Sequence, residues 1–176
     1  MCIRDSVKAI ANCPIAQVWT TYPGEVVENV AATVNPDWPA PDVKTYLEAG
    51  EIYEGRRTLL KLTGDYNTFL ASPSSFRQVF NQSNTLVEFI KPFYEEGTLL
   101  FVGFENTDPD FIALKEKLFS RFAYPQKEHF WIGEKLDLVS KDELQTEHRI
   151  AVLDSNGQND AQFIEQLAKD LSLIHI

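Results

Sequence analysis

The feature that most constrains this chain is a regular alternation. Short apolar runs bounded by turn residues give way repeatedly to segments in which apolar residues recur at helical spacing. A strand that is apolar throughout needs cover on both faces, and two parallel strands need a long crossover, usually a helix, between them. The runs at 15–21, 43–47, 58–62, 98–104, 129–132 and 149–153 fit that pattern. They predict an α/β chain with a mainly parallel sheet and helices on both of its faces.

Helix ends are marked in several places. Asn84 precedes an apolar-periodic stretch (Leu86, Phe89, Ile90, Phe93) that stops before Gly97, and Asp108 precedes Pro109 at a favoured first helical position. Ser140 and Glu143 have the spacing of a capping box. The segment 35–42, with Pro36, Pro39 and Pro41, lacks the donors for regular hydrogen bonding and reads as a surface loop.

Composition removes several classes of function. A length of 176 residues suits one domain with one core. The 16 basic against 26 acidic side chains give a formal charge of −10, which argues against nucleic acid, whose binding requires clustered Lys and Arg. Two cysteines, Cys2 and Cys13, and three histidines, His129, His148 and His175, give no disulfide framework and no tetrahedral metal set. No apolar run approaches the roughly 20 residues of a membrane-spanning helix, and no signal-type N-terminus is present, so the expected location is cytoplasmic with no membrane partner.

Ligands of open parallel sheets bind beyond the carboxyl ends of the strands. The segments to inspect are therefore 20–24, 63–66, 103–108, position 133 and 154–157. Gly64 and Gly103 each follow a strand and permit close backbone approach. No Gly-x-Gly-x-x-Gly phosphate cradle occurs in the sequence.

Taken in order across roughly residues 7–170, these segments resemble the zinc-free, sirtuin-like domains of bacterial NAD-consuming proteins. The strongest match is TLLFVGFENTDPDF, 98–111, where Gly103, Phe104, Asp108 and Phe111 fit the family pattern and Glu105 stands where Ser is usual. In VWTTYPGEVVENV, 18–30, Thr20, Thr21 and Glu28 correspond, but the catalytic Asn of the family falls on Tyr22, and its following Tyr-Asp on Pro23 and Gly24. In LLKLTGDY, 59–66, Lys61, Leu62, Gly64 and Asp65 correspond, while the family's His falls on Thr63.

The resemblance implies a Rossmann-like fold with NAD, or an ADP-ribose-like nucleotide, as ligand or substrate. It implies Thr20, Thr21, Gly64, Asp65, Gly103, Phe104 and Asp108 as cofactor-binding positions. It also implies no catalytic residue at Tyr22 or Thr63, and no metal. In active relatives the Asn and His act around the nicotinamide ribose while the glycosidic bond breaks. A neutral threonine hydroxyl is no base near pH 7. The implied function is thus a NAD-binding domain related to antiviral NAD hydrolases and impaired in catalysis. The alternative is a non-enzymatic scaffold with a decayed nucleotide pocket, in a larger protein carrying a fused effector or sensor domain.

Plainer readings accompany these. Asp108 caps a helix in any case; Gly64 and Gly103 relieve crowding after strands; Trp19, Trp38 and Trp131 anchor core or loops; His129 is a packed strand residue. Asp65 is either a replacement base or a solvated turn carboxylate. Residues 1–6 (MCIRDS) and 171–176 (LSLIHI) resemble translated sequencing-adapter ends, against the alternative that Phe163, Leu167, Leu171 and Ile174 continue one helical face. With residues 1–6 foreign, the family's Gly-rich first β-α unit is expected to be missing upstream of Val7.

Overall fold

The computed structural model describes residues 3–11, 13, 15, 17–22, 24–34, 42–51, 58–65, 67–68, 72–82, 84–105, 107–117, 119–132, 136–153 and 160–174. Its elements, in chain order, are α1 (Ile3–Ala11), β1 (Gln17–Thr20), α2 (Val26–Val34), β2 (Asp42–Thr45), a 3-10 turn (Tyr46–Glu51) and β3 (Thr58–Lys61). There follow α3 (Pro73–Gln82), α4 (Asn84–Glu95), β4 (Leu100–Val102), α5 (Pro109–Lys117), a 3-10 turn (Phe119–Arg121), β5 (His129–Ile132), α6 (Leu138–His148), β6 (Ile150–Leu153) and α7 (Asp160–Ile174). All the predicted strand runs contain a strand. Their parallel character is also as expected, although the strands fall into two sheets.

The chain divides into two compact units, Met1–Phe69 with Gln158–Ile176, and Leu70–Gly157. The first holds a parallel sheet of order β1-β3-β2. Central β3 is buried along its whole length, as a strand flanked on both edges and covered by helices must be. Val7 of α1, Val27 and Val30 of α2 and Leu59 of β3 form a core cluster, with Val18 and Val26 packed against it. Helix α1 packs on α2 and α7.

The second unit holds a parallel sheet of order β4-β5-β6, with α5 and α6 as the crossovers. Its core is aromatic. Trp131 of β5 is fully buried, with the Phe111 ring edge-on at 4.5 Å and Phe101 and Phe104 alongside. Helix α4 buries Leu86, Ile90 and Tyr94 at successive i, i+4 positions, the spacing that puts side chains on one face. Tyr94 stacks on Phe119 at 4.4 Å and its hydroxyl meets Nδ1 of His148 at 3.1 Å.

Some local expectations need correction. The N-cap of α6 is Asp137, whose carboxylate accepts from the backbone N–H and hydroxyl of Ser140. Ser140 thus stands inside the first turn, and Glu143 pairs with Lys115 instead of closing a capping box. The run predicted at 43–47 leaves its strand after Thr45: Glu48 accepts from the backbone N–H and hydroxyl of Thr45 and turns the chain into the 3-10 segment, leaving Leu47 exposed. Of the predicted loop 35–42, residues 35–41 lie outside the described residues, as do Trp38, Cys2 and His175. The described residues include no helix long and apolar enough to cross a membrane and no His, Cys, Asp and Glu group placed to hold a metal ion.

Candidate functional site

The last rung of the first sheet aligns Thr20 of β1 and Thr45 of β2 on either side of Lys61 of β3. Three carboxyl ends therefore terminate at one level, and the residues beyond them form a shared edge. The pairing of β1 and β3 continues past the rung, with the N–H of Leu62 donating to the carbonyl of Thr20 at 2.9 Å. Next, the hydroxyl of Thr63 donates to the carbonyl of Thr21 at 2.6 Å. Thr63 is 3% exposed, so this hydroxyl is a structural tie between two strand ends.

After Thr63 the backbone turns sharply. Gly64 adopts φ +85° with the carbonyl and hydroxyl of Thr68 close above it, and a Cβ there would come within 2.5 Å of the Thr68 carbonyl oxygen. Only glycine takes such a position without strain. Asp65 then organises the loop: its Oδ1 accepts from the N–H groups of Asn67 and Thr68 and from the Thr68 hydroxyl. These donors, the hydroxyl foremost, hold its carboxyl below the ordinary carboxylate value. Asp65 is thus tied into its own turn. Glu48 stands at the same edge, likewise held low by donation from Thr45.

On the β1 side, the N–H of Tyr22 donates to the hydroxyl of Thr20 at 3.0 Å and the residue is 42% exposed. The ring lies on Gly24, where a Cβ would meet Tyr22 Cε1 at 2.5 Å. Beneath this turn Lys61 reaches across from β3, its Nζ 2.5 Å from Oε1 of Glu28 and 3.1 Å from the carbonyl of Gly24.

The second unit carries the other candidates. Gly103 follows β4 with φ +75° and is exposed, and Phe104 turns inward against Phe111 and Trp131. Asp108 caps α5, its carboxylate accepting from the N–H of Asp110 and its carbonyl from that of Ile112. Its own N–H donates to the carbonyl of Glu105. Burial and the neighbouring Asp108 raise the carboxyl of Asp110. His129 is fully buried in β5 and accepts from the N–H of Leu99 through Nδ1, which leaves the proton of the neutral ring on Nε2. Tyr66, Gly133 and 154–157 lie outside the described residues.

The structure thus brings together Thr20, Thr21, Tyr22, Thr63, Gly64 and Asp65 in the first unit, and Gly103, Phe104 and Asp108 follow one strand in the second. The clamp of Lys61 on Glu28 and Gly24 lies beyond what its motif match implies. A lysine closing an otherwise apolar strand was the available signal, since such residues are seldom buried unpaired.

Parallel strands that end together, with glycine turns and polar side chains beyond them, mark the ligand-binding class of α/β proteins. The family model of the SIR2-like domain matches residues 25–158, and the chain belongs to that family. No curated protein matches it. The matched span contains Lys61, Thr63, Gly64, Asp65, Gly103, Phe104 and Asp108, while Thr20, Thr21 and Tyr22 precede it.

Proposed function

We propose that this SIR2-like domain binds NAD or an ADP-ribose-like nucleotide and hydrolyses NAD poorly or not at all, as an impaired relative of bacterial antiviral NAD hydrolases. Thr20, Thr21, Gly64 and Asp65 in the first unit, and Gly103, Phe104 and Asp108 in the second, are the cofactor positions of this reading. The residues present suit the sugar part of such a ligand. The carboxylates of Glu48 and Asp65 at the edge of the first sheet are hydrogen-bond acceptors of the kind sugar hydroxyls need, whereas the lysine there is engaged with Glu28 and Gly24. When bound, NAD would supply the glycosidic bond to nicotinamide as the labile centre.

The single observation that carries the impaired reading is the bond from Thr63 to Thr21. The position that holds a histidine in active relatives bears a hydroxyl turned into the protein, with neither the basicity nor the exposure for proton transfer. A positioned acid or base typically supplies about 10²- to 10⁴-fold in rate. Asp65 is a weak substitute, since its Oδ1 already accepts from three donors in its own loop.

The test is calorimetry with NAD and ADP-ribose, and NAD consumption by the chain, its Tyr22→Asn/Thr63→His variant and its Asp65→Asn variant. Binding with background turnover is expected. Brisk turnover abolished by Asp65→Asn would overturn the impaired reading. The second reading, a scaffold with a decayed pocket in a larger multidomain protein, draws support from the Tyr22 ring lying on Gly24, and absence of binding to either nucleotide selects it.

A further inference from the structure

Lys61 is the last residue of the central strand β3, and its side chain is only 3% exposed. It is held by two groups of one segment, the carboxylate of Glu28 in the first turn of α2 and the carbonyl of Gly24 just before that helix. The other carboxylate oxygen of Glu28 is buried without a hydrogen-bond partner among the described residues. Gly24 in turn supports the ring of Tyr22. One ammonium group therefore bonds, from inside the protein, to the segment that follows the exposed Tyr22.

A buried ion pair adds little net stability compared with apolar side chains of the same shape, because desolvation offsets the attraction. What apolar side chains cannot reproduce is the directional bond from Nζ to the Gly24 carbonyl. We infer that Lys61 is a positioning residue: its bond to the Gly24 carbonyl, with Glu28 as the counter-charge, sets the β1–α2 turn and thereby the affinity of the sheet edge for a nucleotide. The ligand half of this inference rests on the nucleotide reading above, and the turn half does not.

The experiment separates stability from positioning with the full chain. Lys61→Met strands the Glu28 carboxylate, and a large loss of stability is expected. Lys61→Met/Glu28→Leu removes both charges, and its urea midpoint is expected to return to near the wild-type value. In this double variant, amide exchange of Thr21, Tyr22 and Gly24 should quicken about tenfold or more, the scale set by losing one charge-assisted hydrogen bond. ADP-ribose should bind about tenfold or more weakly for the same reason.

Wild-type exchange in that turn would overturn the clamp. Quickened exchange with unchanged ADP-ribose affinity would overturn its link to the ligand. No ADP-ribose binding by the wild-type chain would overturn the nucleotide reading and the ligand half with it, while the exchange result still decides the clamp. Should the double variant not fold, Glu28→Gln keeps the bond from Lys61 to Gly24, and its turn must then exchange at the wild-type rate. Faster exchange in Glu28→Gln would overturn the inference.

Discussion

Thr63 and Thr21 are joined by a 2.6 Å hydrogen bond from hydroxyl to backbone carbonyl across 42 positions of sequence. The bond ties β1 to β3 beyond their last paired rung, Thr20 with Lys61. Thr63→Val keeps the shape and strands the carbonyl, and the expected cost is about 1–3 kcal/mol. Thr63→Ser should recover most of it. Urea unfolding of the two variants checks this, and equal stability of Thr63→Val and wild type would refute it.

Two glycines at the same edge should respond differently to alanine. Gly64 has φ +85° and backbone atoms of Thr68 where a Cβ would go, so Gly64→Ala should cost about 1–3 kcal/mol. At Gly24 the obstacle is the movable ring of Tyr22. Gly24→Ala should therefore cost less, and still less in combination with Tyr22→Ala. Thermal unfolding of the three variants decides the order.

Stability should fall on mild acidification because of His129. Burial, the largest cause, lowers its pKa from 6.5 to about 4. The unfolded chain takes up the proton near pH 6.5 while the native chain resists until near pH 4. The stability present above pH 6.5 is thus lost progressively through that window, by up to about 3 kcal/mol. His148, also lowered chiefly by burial, acts in the same direction. His129→Asn keeps an acceptor for the Leu99 N–H and does not titrate; its urea midpoint should fall less between pH 7.5 and 5 than that of wild type.

Asp108 has a capping role and a proposed ligand role, which substitution can separate. Asp108→Ala removes the cap on α5 at an expected cost of about 1 kcal/mol, and Asp108→Ser should retain most of the stability. Weaker ADP-ribose binding in both variants is expected from the ligand role. Unchanged binding in Asp108→Ser would leave capping as its function.

The strands were legible because an apolar run between turn residues has few other uses. The helix starts at Asn84 and at Asp108-Pro109 were equally plain, and that of α6 was not. Around α6 the chain offers both Asp137-x-x-Ser140 and Ser140-x-x-Glu143, and the structure uses the first, with Leu138 and Val139 exposed in the first turn. Gly64 and Asp65 in the first unit, and Gly103 and Asp108 in the second, could be named as candidates because glycine and aspartate after strands carry local signals. The tie from Thr63 to Thr21 and the clamp of Lys61 on Gly24 could not, since each joins residues far apart in sequence through a backbone carbonyl, which no side-chain pattern records.

The division of the chain has a consequence for its biosynthesis. The unit formed by 70–157 is one uninterrupted stretch, whereas the first unit recruits α7 from the far end. On the ribosome, where chains emerge vectorially and domains fold as units, the later-made half is complete while the earlier half still waits. Throughout that interval the surface of α1 that receives α7 stays open to solvent.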